Sequence, residues 1–420
     1  MNKRKKLLVL GGTLSTLDIV RTARQMGIEV TVTDNLDGGI AKSFADHVIS
    51  ISTTDVSALT AYIKENNIDG VFTGPSEFNI HNMIHLCNES RLPVYVTEEQ
   101  WNLCSNKEKF KELCQKYDVP VVYSYHINDC AVIPEDIIYP VIVKPVDSYS
   151  GHGISICQNE EELTVGLAKG LEWSPSKHIV LEKYMQCKNI EAYYIVQNGK
   201  VKLMSVSDRI TRNDQEGSPV PVAFFHPSCY IRDYIDKVNN KICNMFEKCG
   251  FKQGVFFLEA FYDEEQFYFY EMGYRLNATM EYKFVHYFEQ YNPLKFMIQY
   301  ALGDGFGDQD IIDSNSSIFP GVGCELSPLL RKGKIGKIQG IEVLEKDSEI
   351  IYIHQMHNVG DIINSTGTLN QNFARIHVVG ENHKSLYEKI YFILNTLHVY
   401  DEDGNEMILP YKREEVEIYE

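Results

Sequence analysis

The clearest pattern of hydrophobic and polar positions lies at Gly254–Arg275, which reads GVFFLEAFYDEEQFYFYEMGYR. Two runs rich in aromatic and β-branched residues flank a short acidic cluster, which predicts two antiparallel strands joined by a tight turn. If the turn centres near Glu265, then Glu259 and Glu271 lie opposite each other and point to one face of the hairpin. The period of two places these neighbours on the same face: Val255, Phe257, Phe261, Phe267 and Phe269.

Two facing carboxylates on an otherwise apolar surface indicate a chemical role. Like charges directly opposite each other destabilise a strand pair, and burial raises that cost unless a cation lies between them. Mg²⁺ prefers one or two carboxylates, with phosphate oxygens completing its shell. Glu259 and Glu271 are therefore candidate metal ligands. The alternative is a solvated edge hairpin whose two glutamates have no special function.

The first hundred residues alternate short apolar runs with helical patterns, which predicts a parallel, doubly wound sheet. The predicted strands are Lys6–Leu10, Glu29–Thr33, Ile68–Thr73 and Val94–Val96. Gly11, Gly12 and Asp34 follow the first two strands, where a dinucleotide site would place its phosphate and ribose contacts. Because GGTLST is not GxGxxG, we favour a structural α/β lobe over a nicotinamide site.

A second candidate binding segment follows the strand that is predicted to end near Lys144. The segment 146–153, VDSYSGHG, is a loop of small residues whose backbone N–H groups and hydroxyls suit polyphosphate oxygens. Lys144 can place a positive charge on the same phosphates. A hairpin loop of no function would use similar residues, but the adjacent lysine favours a phosphate site. Its candidate residues are Ser148, Ser150, Gly151, His152 and Gly153.

The remaining pattern predicts a hairpin across Asn198-Gly199, a polar mobile loop at 208–217 and further strands in the last hundred residues. Long amphipathic helices are expected at Ile231–Cys249 and Tyr287–Leu302. Three histidines lie near the end of the chain without carboxylate spacing, which is more typical of surface or strand residues than of a zinc site. They are His354, His357 and His377.

Composition narrows the functional class. The chain has 420 residues, of which 44% are hydrophobic and 23% charged, and its net charge is −18. These are ordinary values for a globular enzyme, and the negative charge argues against nucleic acid or an anionic membrane as a partner. The ten cysteines form no CxxC pair, and the apolar run near the N-terminus is too short for a signal peptide. We therefore expect a cytoplasmic protein with reduced thiols.

In this order, the motifs resemble those of the ATP-grasp superfamily of carboxylate–amine and carboxylate–thiol ligases, which includes biotin carboxylase, carbamoyl-phosphate synthase and L-amino-acid ligases. The resemblance covers nearly the whole chain and implies a mixed α/β and α+β fold. It implies an N-terminal pre-ATP-grasp domain with a doubly wound parallel sheet at 1–103. A two-lobed ATP-grasp domain is then expected at 104–317 and a C-terminal β-rich domain at 318–420.

The resemblance also assigns roles. SNKEKF carries the first ATP lysine, Lys107, and VIVKP carries the second, Lys144, while SYSGHG matches the loop that covers the phosphates. LEKYM matches the hinge at 182–185. The hinge implies that the backbone of Glu182 and of Met185 contacts the edge of the adenine, with Lys183 beside them as a further cofactor-binding residue. Beyond the hinge, Glu191 is expected to bind the ribose hydroxyls.

By the same resemblance, Glu259 and Glu271 match the metal carboxylates and Arg275 matches a catalytic arginine that faces the reacting phosphate or carboxylate. The family usually reads Glu-x-Asn-x-Arg, whereas here Gly273 replaces the asparagine, which puts a second Mg²⁺ in doubt unless Asn277 or water supplies an oxygen. A biotin carboxylase-like Cys-Arg-Ile segment is missing near Cys324, which favours amino-acid ligation over bicarbonate use.

The implied function is an ATP-dependent, ADP-forming ligase that works through an acylphosphate, with ATP and Mg²⁺ (or Mn²⁺) as cofactors. Its expected partners are a small carboxylate, an amine and a second copy of the chain in a homodimer. Two alternatives stay open: a bicarbonate-using enzyme similar to carbamoyl-phosphate synthase, and a nucleotide-binding regulator that has lost turnover. Arg209 and Arg212 are assigned either to the substrate carboxylate or to a solvated loop.

Overall fold

A computed structural model of the protein describes residues 4–125, 133, 136–146, 153–212, 219–307, 310–311 and 317–419. Within these residues, no helix is both long and apolar enough to cross a lipid bilayer. The α-helices are α1 Leu14–Gln25, α2 Val56–Asn66, α3 Glu77–Ser90, α4 Glu98–Ser105, α5 Lys107–Lys116, α6 Glu160–Trp173, α7 Ile231–Tyr234, α8 Asn240–Lys248, α9 Tyr282–Glu289, α10 Pro293–Ala301, α11 Ile341–Leu344, α12 His383–Thr396 and α13 Arg413–Val416.

The strands pair into four sheets, and a π-helical turn at Ile235–Asn239 joins α7 to α8. The strands are β1 Lys6–Leu10, β2 Glu29–Thr33, β3 His47–Ile49, β4 Gly70–Thr73, β5 Ser124–Tyr125, β6 Val141–Pro145, β7 Ser155–Cys157, β8 Ile179–Lys183, β9 Lys188–Gln197, β10 Lys200–Arg212, β11 Val220–His226, β12 Gly254–Asp263, β13 Gln266–Gly273, β14 Val322–Leu326, β15 Gly333–Gln339, β16 Ile350–Gln355, β17 Ile362–Ile363, β18 Ala374–Gly380 and β19 His398–Asp401.

The first sheet is parallel, in the order β3-β2-β1-β4, as the apolar runs predict. Its central strands are buried because helices cover the sheet, which is why they read as continuous apolar runs. One prediction about it was wrong, and one of its strands was not predicted. Val94–Val96 is irregular chain, and its apolar side chains fill the core without strand pairing. The edge strand β3 escaped prediction because its side chains are largely exposed.

The largest sheet is antiparallel and runs β13-β12-β9-β10-β11-β14-β18-β16. It continues past the predicted boundary at residue 318, because β14 pairs with β11, so the domain limits remain a prediction. The predicted hairpin across Asn198-Gly199 forms between β9 and β10. The expected loop at 208–217 was partly wrong, since residues through Arg212 extend β10 against β11 and 213–218 lie outside the described residues.

The helix predicted at Tyr287–Leu302 is divided into α9 and α10. Gln290 adopts a left-handed conformation at the end of α9, and Asn292 caps α10. Pro293 occupies the first turn of α10, where its missing N–H costs nothing. Asn292-Pro293 thus marks the start of a second helix within an uninterrupted helical pattern of apolar residues, and that pattern alone does not reveal the division.

A four-stranded antiparallel sheet, β5-β8-β6-β7, carries Lys144 and Glu182 on its two central strands. Helix α6 covers one face, where Leu163 and Leu167 pack on Val143 and its neighbours. A third small sheet, β17-β15-β19, lies in the C-terminal region.

Arg212 ties β10 to the C-terminal end of the chain. Its Nε donates to Glu415 Oε1 at 2.9 Å, and its Nη2 contacts Glu415 Oε2 and donates to the Pro410 carbonyl at 3.1 Å. Both side chains are at most 6% exposed. This position answers the open question about Arg212, whose guanidinium is held by a structural ion pair.

We predict that Arg212→Met lowers the free energy of unfolding by about 3–5 kcal/mol, because it leaves the Glu415 carboxylate buried without its cation. The double variant Arg212→Met/Glu415→Met recovers much of that loss, since neither charge then remains. Denaturant unfolding of the three proteins measures both differences. A single variant as stable as the double variant would contradict the prediction.

Candidate active site

The hairpin of β12 and β13 brings Glu259 and Glu271 directly opposite each other, as the sequence pattern predicts. Its turn is Glu264-Glu265, and both residues have positive φ, as a two-residue hairpin turn requires. The pairing shifts by one residue next to Glu259, so Tyr270 is an extra residue on β13, a β-bulge. The bulge puts Tyr270 beside Glu271, and the Tyr270 hydroxyl donates to Glu259 Oε2 at 2.6 Å.

The same bulge makes part of the prediction wrong. Phe267 and Phe269 pair with Tyr262 and Ala260, one position out of phase with Glu259, and so face the opposite side. Both rings pack at right angles to Tyr234 of α7 in the main core. A one-residue insertion reverses the face of every residue beyond it, and period-two counting does not detect it.

Strand β9 adds a third carboxylate to the pair. Glu191 is in register with Glu259, so Glu191, Glu259 and Glu271 form a row across three adjacent strands. The row runs from the core towards solvent: Glu191 is 3% exposed, whereas the side chains of Glu259 and Glu271 are 15% and 41% exposed. We call this set the carboxylate row.

Two cations contact the outer members of the carboxylate row. Arg209 of β10 donates to Glu259 Oε2 at 2.8 Å and to the Tyr270 hydroxyl at the same distance. Lys107, the first residue of α5, lies 3.7 Å from Glu271 Oε1. The helix begins there because the Asn106 side chain accepts from two backbone N–H groups of its first turn. Arg209 therefore lies at the carboxylate row and not in a solvated loop, while its contact with a substrate carboxylate stays a prediction.

A second cationic group lies on the four-stranded sheet. Glu182 is 1% exposed and contacts two lysines, Lys144 at 2.9 Å and Lys111. Lys144 also lies 5.0 Å from the centre of the Tyr270 ring, which connects this pair to the carboxylate row. Sequence reasoning missed Lys111, although its position four residues after Lys107 places both lysines on one face of α5.

Burial and charge shift the ionisation of these groups. Burial lowers the pKa of Lys107, but Glu271 and three further glutamates raise it above its usual range. Burial raises the pKa of Glu182, but Lys144 and Lys111 lower it below its usual range. Burial and then the charge of Glu259 raise the pKa of Glu191 to about 8. Glu191 is thus largely protonated at neutral pH, whereas Glu182 stays ionised.

Arg275 lies at the end of β13 and is held by two neighbours. Its guanidinium contacts Glu77 Oε1 at 3.2 Å and stacks over the Phe257 ring at 4.9 Å. Glu77 is the first residue of α3 and follows strand β4 of the N-terminal sheet. Nothing in the sequence near Arg275 identifies Glu77, because the two are brought together only by the packing of the N-terminal sheet region on the hairpin.

The ring of Phe257 also explains Gly273. A Cβ at Gly273 would lie 2.5–2.6 Å from two atoms of that ring, closer than packed side chains approach. The position that an asparagine would occupy is therefore filled by Phe257. Asn277 does not supply the missing oxygen in this structure: its amide donates to Glu191, and its Oδ1 accepts from the Thr279 backbone at 2.8 Å.

The other predicted nucleotide contacts lie around the hinge, and the structure tests none of them directly. Lys183 is exposed, and Met185 packs against Val122 and Tyr270. Ser148, Ser150, Gly151 and His152 lie outside the described residues. Gly153 has a φ of +78°, and a Cβ there would lie 2.6 Å from Trp173 Cβ, so the position requires glycine.

The N-terminal glycines do not form a dinucleotide site in the expected way. Asp34 Oδ2 accepts from the Gly12 backbone N–H at 2.7 Å, and Oδ1 accepts from the Leu36 N–H at 2.9 Å. Its carboxylate therefore stabilises the loop after β1 instead of facing outwards to a ribose. This arrangement supports the structural role that we favour.

The carboxylate row fits a divalent oxygen-seeking cation. Glu259 and Glu271 are partly exposed, face each other and offer only oxygen ligands, which is the donor set that Mg²⁺ prefers. Arg209 and Lys107 now neutralise them, so a bound metal would take over contacts that these two side chains make.

Comparison with known proteins agrees with this geometry. Residues 106–281 match the family model described as carbamoyl-phosphate synthase L chain, ATP binding domain. The formate-dependent phosphoribosylglycinamide formyltransferase of Sulfurisphaera tokodaii is 27% identical over 288 residues, which cover 66% of this chain and 71% of that protein. Two further curated relatives are matched over 48% and 25% of their own length.

Solved structures share the architecture over nearly the whole chain. The L-amino acid ligase of Bacillus licheniformis superposes with a TM-score of 0.76 and 17% identity, over 96% of this chain and all of that one. The biotin carboxylase domain of the Hydrogenobacter thermophilus 2-oxoglutarate carboxylase, solved with MgADP and bicarbonate, gives a TM-score of 0.76 and 19% identity over 97% and 92%. At these identities the likeness establishes the fold.

We predict that Gly273→Asn, which restores the more common motif, destabilises the protein by about 1–3 kcal/mol, because the new side chain collides with Phe257. Adding Phe257→Leu to Gly273→Asn recovers part of this loss by making room. Thermal unfolding of both variants and of Phe257→Leu alone measures the effect. An unchanged midpoint for Gly273→Asn would show that the ring moves freely.

We also predict a pH-dependent effect of Glu191→Gln. The pKa of Glu191 is about 8 in the folded protein against an ordinary value of 4.5, so the wild type loses stability as the pH rises between these values. The neutral variant has no such loss, and its stability relative to wild type grows by up to about 1.4 kcal/mol per pH unit. Unfolding at pH 5.5 and 8.5 measures this difference, with the exposed Glu345→Gln as control. A pH-independent difference would contradict the assignment.

Proposed function

We propose that this chain, a member of the ATP-grasp superfamily, is an ATP-dependent, ADP-forming ligase that joins a small amino-acid-like carboxylate to a small amine. The match over 106–281 and the shared architecture support the class. The formyltransferase and the L-amino acid ligase among the similar proteins fit this main prediction and not its alternatives, the bicarbonate-using enzyme and the regulator without turnover. The observation that carries the proposal is the carboxylate row with Lys107 against Glu271 and Lys144 against the neighbouring Tyr270.

The positions of Lys107 and Lys144 support a polyphosphate site. Lys107 and Lys144 come from α5 and β6, two elements that converge on the hairpin, and Tyr270 lies between them and Arg209. Each lysine is now paired with a glutamate, so phosphate oxygens would exchange for carboxylate oxygens. Phosphoryl transfer depends mainly on such positioning and charge neutralisation.

Glu259 and Glu271 would hold Mg²⁺, which would supply positive charge against the negative charge of the phosphates during transfer. Glu191, protonated near neutral pH, can donate one hydrogen bond to a ribose hydroxyl and accept another. Glu182 orients Lys144 through their ion pair at 2.9 Å, while its own backbone lies in the sheet next to the hinge.

We assign Arg275 to the acyl end of the proposed reaction, and its surroundings support this role. Its planar guanidinium has a bidentate donor geometry that matches a carboxylate or a phosphoryl group. Glu77 and Phe257 fix the plane of that group from two sides. In the proposed reaction a substrate carboxylate attacks the γ-phosphate, ADP leaves, and the amine then displaces phosphate from the acylphosphate. Arg275 would stabilise the charge on the transferring group or on the acyl oxygen.

We predict that ADP release from ATP and Mg²⁺ rises when a carboxylate and an amine are supplied together, and that Glu271→Gln lowers this rate at least about 100-fold. The loss follows because the variant removes one of the two facing metal carboxylates. A coupled assay for ADP, run over single and paired amino acids with mass detection of the amide product, makes the measurement.

Glu264→Gln is the matched control, because Glu264 lies in the turn of the same hairpin and is exposed. It should leave turnover within about twofold of wild type. Retention of activity by Glu271→Gln would refute the metal assignment. If no pair stimulates ADP release, the substrates are not amino-acid-like and that part of the proposal fails.

A further inference from the structure

We propose that His81, His85 and Glu98 form a binding site for Zn²⁺ at the junction of α3 and α4. The site is separate from the carboxylate row and differs from it in ligand type. It does not depend on the proposed ligase activity. The inference rests on the geometry of three side chains from two helices, whose ligand atoms all lie within 4.8 Å of one another.

The two histidines have the spacing of a chelating pair. They lie four residues apart on α3, so both rings project from one face of the helix. Their Nε2 atoms are 3.2 Å apart. In a tetrahedral zinc site with Zn–N distances of about 2.0–2.1 Å, two ligand nitrogens lie about 3.3 Å apart. The two nitrogens therefore already have the separation that one shared ion requires.

Glu98 supplies the third ligand from the neighbouring helix. It is the first residue of α4, whose start is fixed by a reciprocal capping box between Thr97 and Gln100. The Gln100 side chain also donates to the Gly250 carbonyl at 3.1 Å, which anchors this end of α4 to the rest of the protein. A carboxylate at this point completes a two-histidine, one-carboxylate set, and the exposure of His81 and Glu98 leaves the fourth position open to water.

The ligand chemistry selects zinc over the metal of the carboxylate row. Imidazole nitrogens suit zinc and its neighbours in the transition series, whereas Mg²⁺ demands oxygen ligands in an octahedral shell. Without a metal, the two imidazole rings can form one hydrogen bond with each other, in which one Nε2 donates to the other. That hydrogen bond lies on an exposed surface.

The position of the site gives metal binding a structural consequence. Helix α3 starts at Glu77, which holds Arg275, and α4 ends at the residue before Asn106, which caps the helix that carries Lys107. A zinc ion would cross-link these two helices near their connection at 91–97. It would therefore fix the relative positions of two segments that each deliver a charged group to the carboxylate row.

The test is calorimetric titration of the metal-stripped full chain with zinc chloride in a buffer without magnesium. We expect that His81→Ala and His85→Ala each weaken the affinity of this site for zinc at least about 100-fold, because the loss of an outer-shell partner alone costs up to that much. The exposed His178→Ala is the control and should leave the titration unchanged. Zinc bound at the carboxylate row would persist in the histidine variants and be lost in Glu271→Gln.

X-ray absorption at the zinc edge gives the second readout. Wild-type protein with one equivalent of zinc should show two imidazole ligands at about 2.0–2.1 Å. Circular dichroism without zinc confirms that the histidine variants are folded, which is expected because the replaced rings are on the surface. Identical titrations for wild type and a His81→Ala/His85→Ala double variant would overturn the proposal, as would a spectrum with oxygen ligands only.

Discussion

Mutual repulsion within the carboxylate row is the constraint on which the rest of the site depends. Strand pairing places Glu191, Glu259 and Glu271 side by side, and burial of the inner members makes that proximity costly. The row is stabilised by protonation at its buried end and by cations at its open end, where Arg209 and Lys107 contact it. Magnesium and a polyphosphate together would exchange these partners, because the metal would take the place of the cations at the carboxylates and the phosphates would pair with the cations.

Phe257 imposes a second constraint at the end of the hairpin. Its ring lies over the backbone of Gly273 and under the guanidinium of Arg275, so one aromatic side chain both excludes a side chain at the former position and orients the latter. The Phe257 ring thus fills the space that the side chain of the usual asparagine would occupy. The absence of this asparagine does not by itself indicate that the activity is lost. What the exchange removes is one potential oxygen ligand, which leaves Glu259 and Glu271 as the facing pair in the hairpin.

Sequence reasoning predicted those parts of the structure that depend on local pattern. The hairpin, the opposition of its glutamates, the parallel N-terminal sheet and the strand that carries Lys144 all follow from periodicity and turn residues. The bulge at Tyr270 was not predicted, because no residue type marks it. Its only effect is to change which face of the hairpin the neighbouring residues of β13 point to. Lys111 could have been found from its helical spacing to Lys107, whereas the contact of Glu77 with Arg275 joins residues 198 positions apart and needs the tertiary fold.

That long-range contact shows how the N-terminal sheet takes part in the site. The pair of Glu77 and Arg275 is only partly buried, and exposed or half-exposed ion pairs contribute little to stability. A weak pair of this kind is easily exchanged, so a substrate carboxylate or phosphoryl group can compete with Glu77 for the guanidinium at little energetic cost. Arg275 keeps its orientation during such an exchange because Phe257 holds the plane of the guanidinium from below.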